Sequence, residues 1–408
     1  DTNQFIDDRV ATLSLDGGRR VSDRLELRIL GGWFDARRDF DDRRDTPADT
    51  LGFGFEQFRH VAARRWLADL RVLARPFDQV RVSLGVERSA ERERTRSTTR
   101  SDFGTGAFTD QSEFHRDRGN TATYGQVLAA LGSRVDLQAG IRHDANEVFG
   151  GLTTWQSGVV ARPAPAIRLR ASVGTAFKQP TFSEQFADTP FEVGNPDLVP
   201  ERTRSWEAGA EGMAWDGRIS LTATWFSQRF RDLIQYQAGA PGEPTYANVA
   251  RARADGVELG ASAALARGWS LTARYTWLNT DVEDAGGTGS TAFAEAEPLL
   301  RRPAHVWGAG LTWTLEGAGS YTLQVQRTGS RMDVDFREFP SPRVTLAGYT
   351  LVDASVDLPL AAILGAGGWR SAVGLTLSGQ NLLDSEYESV VGFAARGRMV
   401  LVGIRAAP

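Results

Sequence analysis

The sequence predicts an all-β chain, a transmembrane antiparallel β-barrel of the outer-membrane type. Three observations carry that expectation: apolar and polar residues alternate over short segments, the segments recur along the whole chain, and tight turns alternate with long polar connections. A two-residue period puts successive side chains on opposite sheet faces. With one face oily and the other wet, segments of about ten residues cross a bilayer as tilted strands.

The clearest segment is 269–277, where every odd position from Trp269 to Trp277 is apolar or aromatic and every even one polar. The same period returns at 80–87, 135–142, 219–225, 321–326 and 373–380. Gly, Pro and Asp predict tight turns at 16–18, 74–77, 132–133, 163–165, 215–217, 267–268 and 316–319. Long polar loops are expected at 36–51, 95–121, 144–151, 178–200, 232–248, 281–297, 331–344 and 388–396. Short turns on one rim, the periplasmic one, and long loops on the other follow the outer-membrane pattern. The segments amount to about 17 strands, from 10–15 to 399–406. Single-chain bacterial barrels usually hold an even number. The odd count therefore implies that Asp1 lies on the extracellular side and that N-terminal strands precede it.

Composition narrows the function classes. No run approaches the roughly 20 apolar residues of a membrane helix, a test that barrel strands escape. The absence of cysteine excludes disulfide staples and thiol redox chemistry. The net charge of -4 and the scattered arginines give no nucleic-acid footprint. Lys178 is the only lysine, which reads as compositional bias. Asp1-Thr-Asn-Gln has neither the basic nor the apolar region of a signal peptide.

Particular words then stand out: Gly174-Thr-Ala-Phe-Lys-Gln-Pro-Thr181, Gly194-Asn-Pro-Asp-Leu-Val-Pro-Glu201 and Trp206-Glu-Ala-Gly209. Asn248-Val-Ala-Arg-Ala-Arg-Ala-Asp-Gly-Val-Glu258 and Asn381-Leu-Leu-Asp-Ser-Glu-Tyr387 follow in order. Together they resemble the TonB-dependent outer-membrane receptors, best over 171–404. Leu299-Leu-Arg-Arg-Pro303 and Gly392-Phe-Ala-Ala-Arg-Gly-Arg398 resemble the vitamin B12 transporter branch of that family. The resemblance implies a barrel of about 22 strands in the outer membrane of a Gram-negative bacterium. It also implies an N-terminal plug, a TonB box and energy from the TonB complex. Neither plug nor box is recognisable, so residues 1–408 are expected to be a partial receptor barrel. The family's terminal aromatic residue is replaced here by Ile404-Arg-Ala-Ala-Pro408.

The word at 194–197 reads as a turn, with Gly194 free to take positive φ, and its role as loop architecture outweighs direct ligand contact. Arg202 and Arg204 alternate with Thr203 and Ser205 and are expected to face the lumen or its rim. Trp269, Tyr275, Trp277, Trp369 and Tyr387 fit aromatic girdles. The loop aromatics Phe182, Phe186, Phe191, Tyr236 and Tyr246 read as packing residues, with ligand stacking as the alternative. Asp39, Asp41, Asp42, Asp45 and Asp49 form an acidic cluster whose calcium reading is outweighed by self-pairing with Arg37, Arg38, Arg43 and Arg44. Asp281, Glu283 and Asp284 supply too few ligands for calcium.

Enzyme chemistry has little support. His60, His115, His143 and His305 show no metal spacing, and no Gly-x-Ser-x-Gly elbow occurs. Gly104-Thr-Gly106 and Gly286-Gly-Thr-Gly289 lack the lysine and helix of a phosphate loop. No catalytic, metal or cofactor residue is therefore expected, and no ligand-binding residue is named. The function expected from the resemblance is active import of a large, scarce small molecule, a cobalamin-like corrinoid ahead of a siderophore or haem chelate. The alternatives are a passive pore or an inactive barrel fragment. The partners implied are the TonB complex and outer-membrane lipids.

Overall fold

The computed structural model describes residues 4–43, 56–102, 106–190, 192–236, 242–286, 294–335, 337–338, 341–364 and 373–406. The strands in chain order are β1 (Gln4–Ser22), β2 (Leu25–Asp42), β3 (Glu56–Phe77), β4 (Val80–Asp102), β5 (Ala107–Leu131), β6 (Val135–Asn146), β7 (Gly150–Ala164) and β8 (Ile167–Lys178). Helix α1 (Phe182–Phe186) and the short β9 (Asp188–Thr189) and β10 (Glu192–Val193) follow. Next come β11 (Glu201–Ala214), β12 (Ile219–Tyr236), β13 (Tyr246–Ala264), β14 (Trp269–Asp284), β15 (His305–Leu315) and β16 (Gly319–Thr328). The chain continues through β17 (Arg331–Val334), β18 (Arg343–Leu346), β19 (Tyr349–Pro359), α2 (Leu360–Leu364), β20 (Val373–Gln380), β21 (Glu388–Val390), β22 (Phe393–Ala394) and β23 (Met399–Ala406). One sheet holds 17 strands, in agreement with the sequence count, and three short hairpins (β9–β10, β17–β18 and β21–β22) stand outside it.

The chain divides into two compact units. The first comprises 1–159, 173–204 and 230–250, and the second 160–172, 205–229 and 251–408. In the first unit, β1 to β6 pair in chain order as antiparallel hairpins. The register aligns Trp33 with Trp66 and Trp66 with Ala90, and aligns Leu70 with Val86. One face therefore presents Leu13, Ile29, Trp66, Leu70, Leu84, Val86 and Ile141, all exposed. The other face presents charges that pair with one another. The Tyr124 hydroxyl donates to Asp69 at 2.5 Å and accepts from Arg71 at 2.9 Å. Arg142 donates to Glu87 at 3.0 Å and to Asp144 at 2.8 Å.

In the second unit, β13 to β16, β19, β20 and β23 continue the same pattern. Leu271, Leu311, Leu323 and Ala354 align across four strands on the apolar face. Trp269 stacks on Trp313 at 5.2 Å, and Trp313 lies 5.7 Å from Tyr321. Farther along, Tyr275 stacks on His305 at 6.1 Å. From Trp269 to Trp277 is about 26 Å along the strand, or about 20 Å after strand tilt, close to the ~25 Å apolar band of an outer-membrane wall.

The burial pattern is inverted relative to a water-soluble sheet. The largest fully buried side chains include Gln185, Asp144, Asp333, Thr99 and Ser101, whereas Ile404 is 80% exposed and Val402 71%. Water does not tolerate a continuous exposed apolar face of this kind, and hydrocarbon does.

Several boundaries differ from the sequence expectation. Residues 16–18 lie inside β1, and the turn falls at Asp23 and Arg24. Residues 74–77 complete β3 before a turn at Asp78 and Gln79. Residues 95–121 are almost wholly strand rather than loop, and 144–151 closes in a tight turn. These strands run past the apolar band, where both faces are polar. Backbone pairing continues there although the apolar–polar alternation has stopped.

Candidate functional site

The long-connection end of the first unit is organised around α1. Thr181 caps the helix by accepting the Glu184 N–H at 3.1 Å, and the Glu184 carboxylate accepts the Thr181 N–H at 2.7 Å. This reciprocal pair satisfies donors that a helix start leaves open. Cations from the neighbouring strands clamp the helix from outside. Arg118 lies 4.4 Å above the buried Phe182 ring, donates to the Pro180 carbonyl at 2.7 Å and pairs with Glu91 at 2.8 Å. Arg116 lies 4.6 Å above Phe186, and Arg59 donates to the Ser183 hydroxyl at 2.6 Å.

The word at 194–201 closes onto this helix. Asn195 donates its backbone N–H to the Glu184 carbonyl at 2.8 Å and its side-chain amide to the Tyr246 carbonyl at 2.9 Å. A Cβ on Gly194 would overlap the Gln185–Phe186 peptide. Gly194 is not in the left-handed region, so close backbone approach, not positive φ, requires the glycine. Asn248 accepts the Val199 N–H at 2.8 Å and donates to the carbonyls of Val199 at 2.9 Å and Asp232 at 2.7 Å. Glu201 accepts from the Ile234 N–H at 3.0 Å and from Lys178 at 3.2 Å. The Tyr246 hydroxyl donates to Glu192 at 2.6 Å, and its ring meets Tyr236 edge-on at 5.7 Å.

A second knot gathers the words of the other unit. Asp333 is fully buried and accepts the Arg301 Nε–H, the Val334 N–H and the Val391 N–H, each at 2.9 Å. Burial pushes its carboxyl up, yet the Val391 and Val334 amides and the Arg301 guanidinium outweigh that and hold it below the ordinary value. Arg331 donates to the Glu388 carbonyl and lies 5.4 Å above Tyr349, which stacks on Tyr387 at 3.9 Å. Asn381 accepts the Ser385 N–H at 2.9 Å and donates to its carbonyl at 3.0 Å.

The polar face of the first unit also holds two cavities. One of about 420 Å³ is walled by Asp69, Arg71, Glu87, Tyr124 and Arg142. The other, of about 610 Å³, combines Ile6, Phe34, Phe40 and Val61 with Arg38, Arg59 and Glu93. These walls offer hydrogen bonds, charge and apolar contact. Among the described residues no group of His, Cys, Asp or Glu is arranged to hold a metal.

The structure places the remaining candidates as follows. Asp41 pairs with Arg43 at 3.2 Å as expected, but Asp39 pairs with His60 at 2.5 Å, Arg38 with Asp8 at 2.7 Å and Arg37 with Asp35 at 3.6 Å. The acidic cluster, as far as it is described, is thus tied mainly to residues outside it rather than to itself. Arg44, Asp45, Asp49, Phe191, Trp369, Gly104 and residues 287–289 lie outside the described residues. His143 meets Thr153 and His305 meets Tyr275, at 2.9 and 2.8 Å. Arg204 lies 5.9 Å above the exposed Trp155 ring, on the apolar side of the sheet, and Arg202 shares its face by alternation. Both therefore point away from the polar face on which they were expected. Tyr387 is no strand-end girdle residue, since it packs on Tyr349 outside the main sheet. Sequence reading missed Asp333, Arg59, Arg116 and Arg118. Their signal, an isolated charge within a polar stretch, is carried by dozens of other positions.

A family model described as TonB dependent receptor-like, beta-barrel, matches residues 1–382. The chain belongs to this family. The apolar face accordingly meets outer-membrane lipid, the polar face lines a barrel lumen, and the family is made up of transport receptors rather than enzymes. The vitamin B12 transporter BtuB of Vibrio cholerae serotype O1 is 28% identical over 289 residues, covering 71% of this chain and 42% of the relative. The chain thus spans less than half the length of the curated relatives it matches. Among solved structures, the copper transporter OprC superposes with a TM-score of 0.74 at 19% identity, covering 97% of this chain and 65% of that one. The ferric-catecholate import receptor Fiu of K12 E. coli does so at 0.72 and 13%, covering 99% and 65%. At such identities these structures speak for the fold alone.

Proposed function

We propose that residues 1–408 serve as the barrel portion of an outer-membrane receptor that binds and imports a large, scarce small molecule with energy supplied through TonB, a cobalamin-like corrinoid being favoured. The observation that carries this reading is that the resemblance words are bonded to segments distant in sequence, 194–201 to 248–258 through Asn248, and 299–303 through Asp333 to the residue beside 392–398. Residues 181–201 lock to Tyr246 and Asn248, and Arg301 locks through Asp333 to Val391. Such bonds fix the loop bases that a binding receptor needs. The BtuB relatives support a corrinoid, since 299–303 and 392–398 are the words most like that branch. A siderophore or haem chelate is the rival, because the fold is shared with a copper transporter and a ferric-catecholate receptor. A passive pore is the reading from another class.

Titration of the purified chain in neutral detergent with cyanocobalamin, haem and a ferric catecholate, followed by tryptophan fluorescence, tests the assignment. Saturable quenching by cyanocobalamin alone is expected. Saturation only by an iron chelate reassigns the ligand. No saturation by any of the three, together with steady conductance in a planar bilayer, favours the pore.

A further inference from the structure

Strand β4 sorts its charges by face. From 88 to 100 the positions that share a face with Val86 are Arg88, Ala90, Arg92, Arg94, Arg96, Thr98 and Arg100, and the first acid on that face is Asp102 at the strand's end. Over 87–97 the opposite, lumenal face carries Glu87, Ser89, Glu91, Glu93, Thr95 and Ser97, and its one arginine, Arg81, stands at the other end of the strand. Arginine replaces lysine almost throughout this chain, so the choice of cation says little here. Its confinement to one face of β4 over 87–100 is the informative feature.

The height of the row follows from register. Val86 opposes Leu70 on the lipid face, and Ala90 opposes Trp66, which in turn opposes Trp33. Arg92 is the first outward position of β4 beyond that aromatic level, where lipid headgroups begin. Arg94 and Arg96 follow at spacings of about 7 Å. Their side chains are 59, 48 and 56% exposed. Arg64 stands opposite Arg92 on β3, and His115 opposite Arg94 on β5. Two carboxylates hold the row in place: Asp117 takes the Arg92 Nε–H at 2.5 Å, and Glu113 takes those of Arg94 at 2.6 Å and Arg96 at 2.9 Å. A guanidinium has five N–H donors, so each arginine has donors beyond those that these carboxylates take.

We propose that Arg92, Arg94 and Arg96 dock the phosphate groups of a phosphorylated glycolipid in the outer leaflet of the membrane. The row continues the lipid-facing surface upward without a break and meets the membrane where its charge changes from none to negative. Planar guanidiniums fixed by neighbouring carboxylates are preorganised to bind phosphate oxygens in pairs. The carboxylates hold the row in register while occupying some of the donors that a phosphate would otherwise take.

The test uses the full chain in neutral detergent, with native mass spectrometry counting retained lipid. The probes are bis-phosphorylated lipid A and the same lipid without its phosphates. The expected result is a preference of about fivefold or more for the phosphorylated form, falling toward parity in the triple variant Arg92→Gln, Arg94→Gln, Arg96→Gln. The corresponding triple lysine variant, which keeps the charge but loses the paired planar donors, falls between the parent chain and the triple glutamine variant. Glu113→Gln, which frees two guanidiniums, raises it even if the triple glutamine variant does not fold. Equal retention of the two probes by the unaltered chain marks the row as a solvated, self-paired face and overturns the proposal. So does a preference that survives the triple glutamine change, or one that falls in Glu113→Gln.

Discussion

The Asp333 carboxylate accepts the Arg301 Nε–H at 2.9 Å from a fully buried position, and its second oxygen takes the Val391 N–H. One acid therefore fastens the segment after β14, the β17 hairpin and the β21–β22 hairpin together. Asp333→Asn keeps the shape but removes the charge and turns one acceptor into a donor facing the Arg301 or Val391 N–H. Bonds to a charged group contribute roughly 1.5–3 kcal/mol, so local opening of 299–303 and 388–392 becomes about 2 kcal/mol easier. Hydrogen exchange of those amides reads this directly. Protection unchanged from the parent chain would show that the acid is incidental.

The same knot gives a pH dependence whose sign is fixed. Two amides and Arg301 lower the Asp333 carboxyl against burial, and Arg337 holds Asp335 at about 2, against an ordinary value of 3.8 for both. A folded-state value below the unfolded one stabilises fully above the unfolded value and is lost as pH falls through the folded one. The β17–β18 region is therefore expected to hold at pH 5 and loosen between about pH 4 and 2. Pepsin cleavage at stepped pH, mapped to 331–346, measures it. Loosening that begins above pH 5 contradicts these two carboxylates as its source.

The wall of this molecule could be read from the sequence and most of its rim could not. Wherever a strand crosses lipid, hydrocarbon demands an apolar residue at every second position, and 269–277 states that demand openly. Beyond Trp66 the demand lapses. Residues 95–121 carry hydroxyls and charges on both faces, so they read as loop although β4 and β5 pair through Asp102 and Ala107. The words at 194–201 and 381–387 were recognisable because their geometry is local: Gly194 touches a peptide about ten residues away, and Asn381 closes on Ser385. Asp333 and Arg301 stand 32 positions apart, and no local pattern links them.

Gly194→Ala tests the close approach beside α1. Its Cβ has no room against the Gln185–Phe186 peptide, and overpacking of this kind costs about 1–3 kcal/mol. The loss is expected to fall on bonds that depend on that approach, from Gly194 to the Ala187 carbonyl and from Asn195 to the Glu184 carbonyl. Amides from 182 to 201 should exchange faster while those of β3 and β4 stay protected. A variant that keeps full protection at 194–195 shows that the backbone can yield there at little cost.

Adjacent residues on β16 offer the sharpest check of which face meets lipid. Leu323 is 45% exposed, aligned with Leu311 and Ala354 on the apolar side, whereas its neighbour Gln324 lies on the polar side beside Gly310 and Asp353. An arginine facing hydrocarbon near the bilayer midplane costs about 2–4 kcal/mol, and one facing a wet lumen costs close to nothing. Leu323→Arg is thus expected to lower folding stability in lipid vesicles by about 2–4 kcal/mol, and Gln324→Arg, opposite an aspartate, to leave it within about 0.5 kcal/mol. Denaturant titration of both variants after refolding into vesicles supplies the comparison. Equal losses at the two positions, or a greater loss at Gln324, reverse the assignment of faces on which the lumen, the aromatic level and the arginine row all depend.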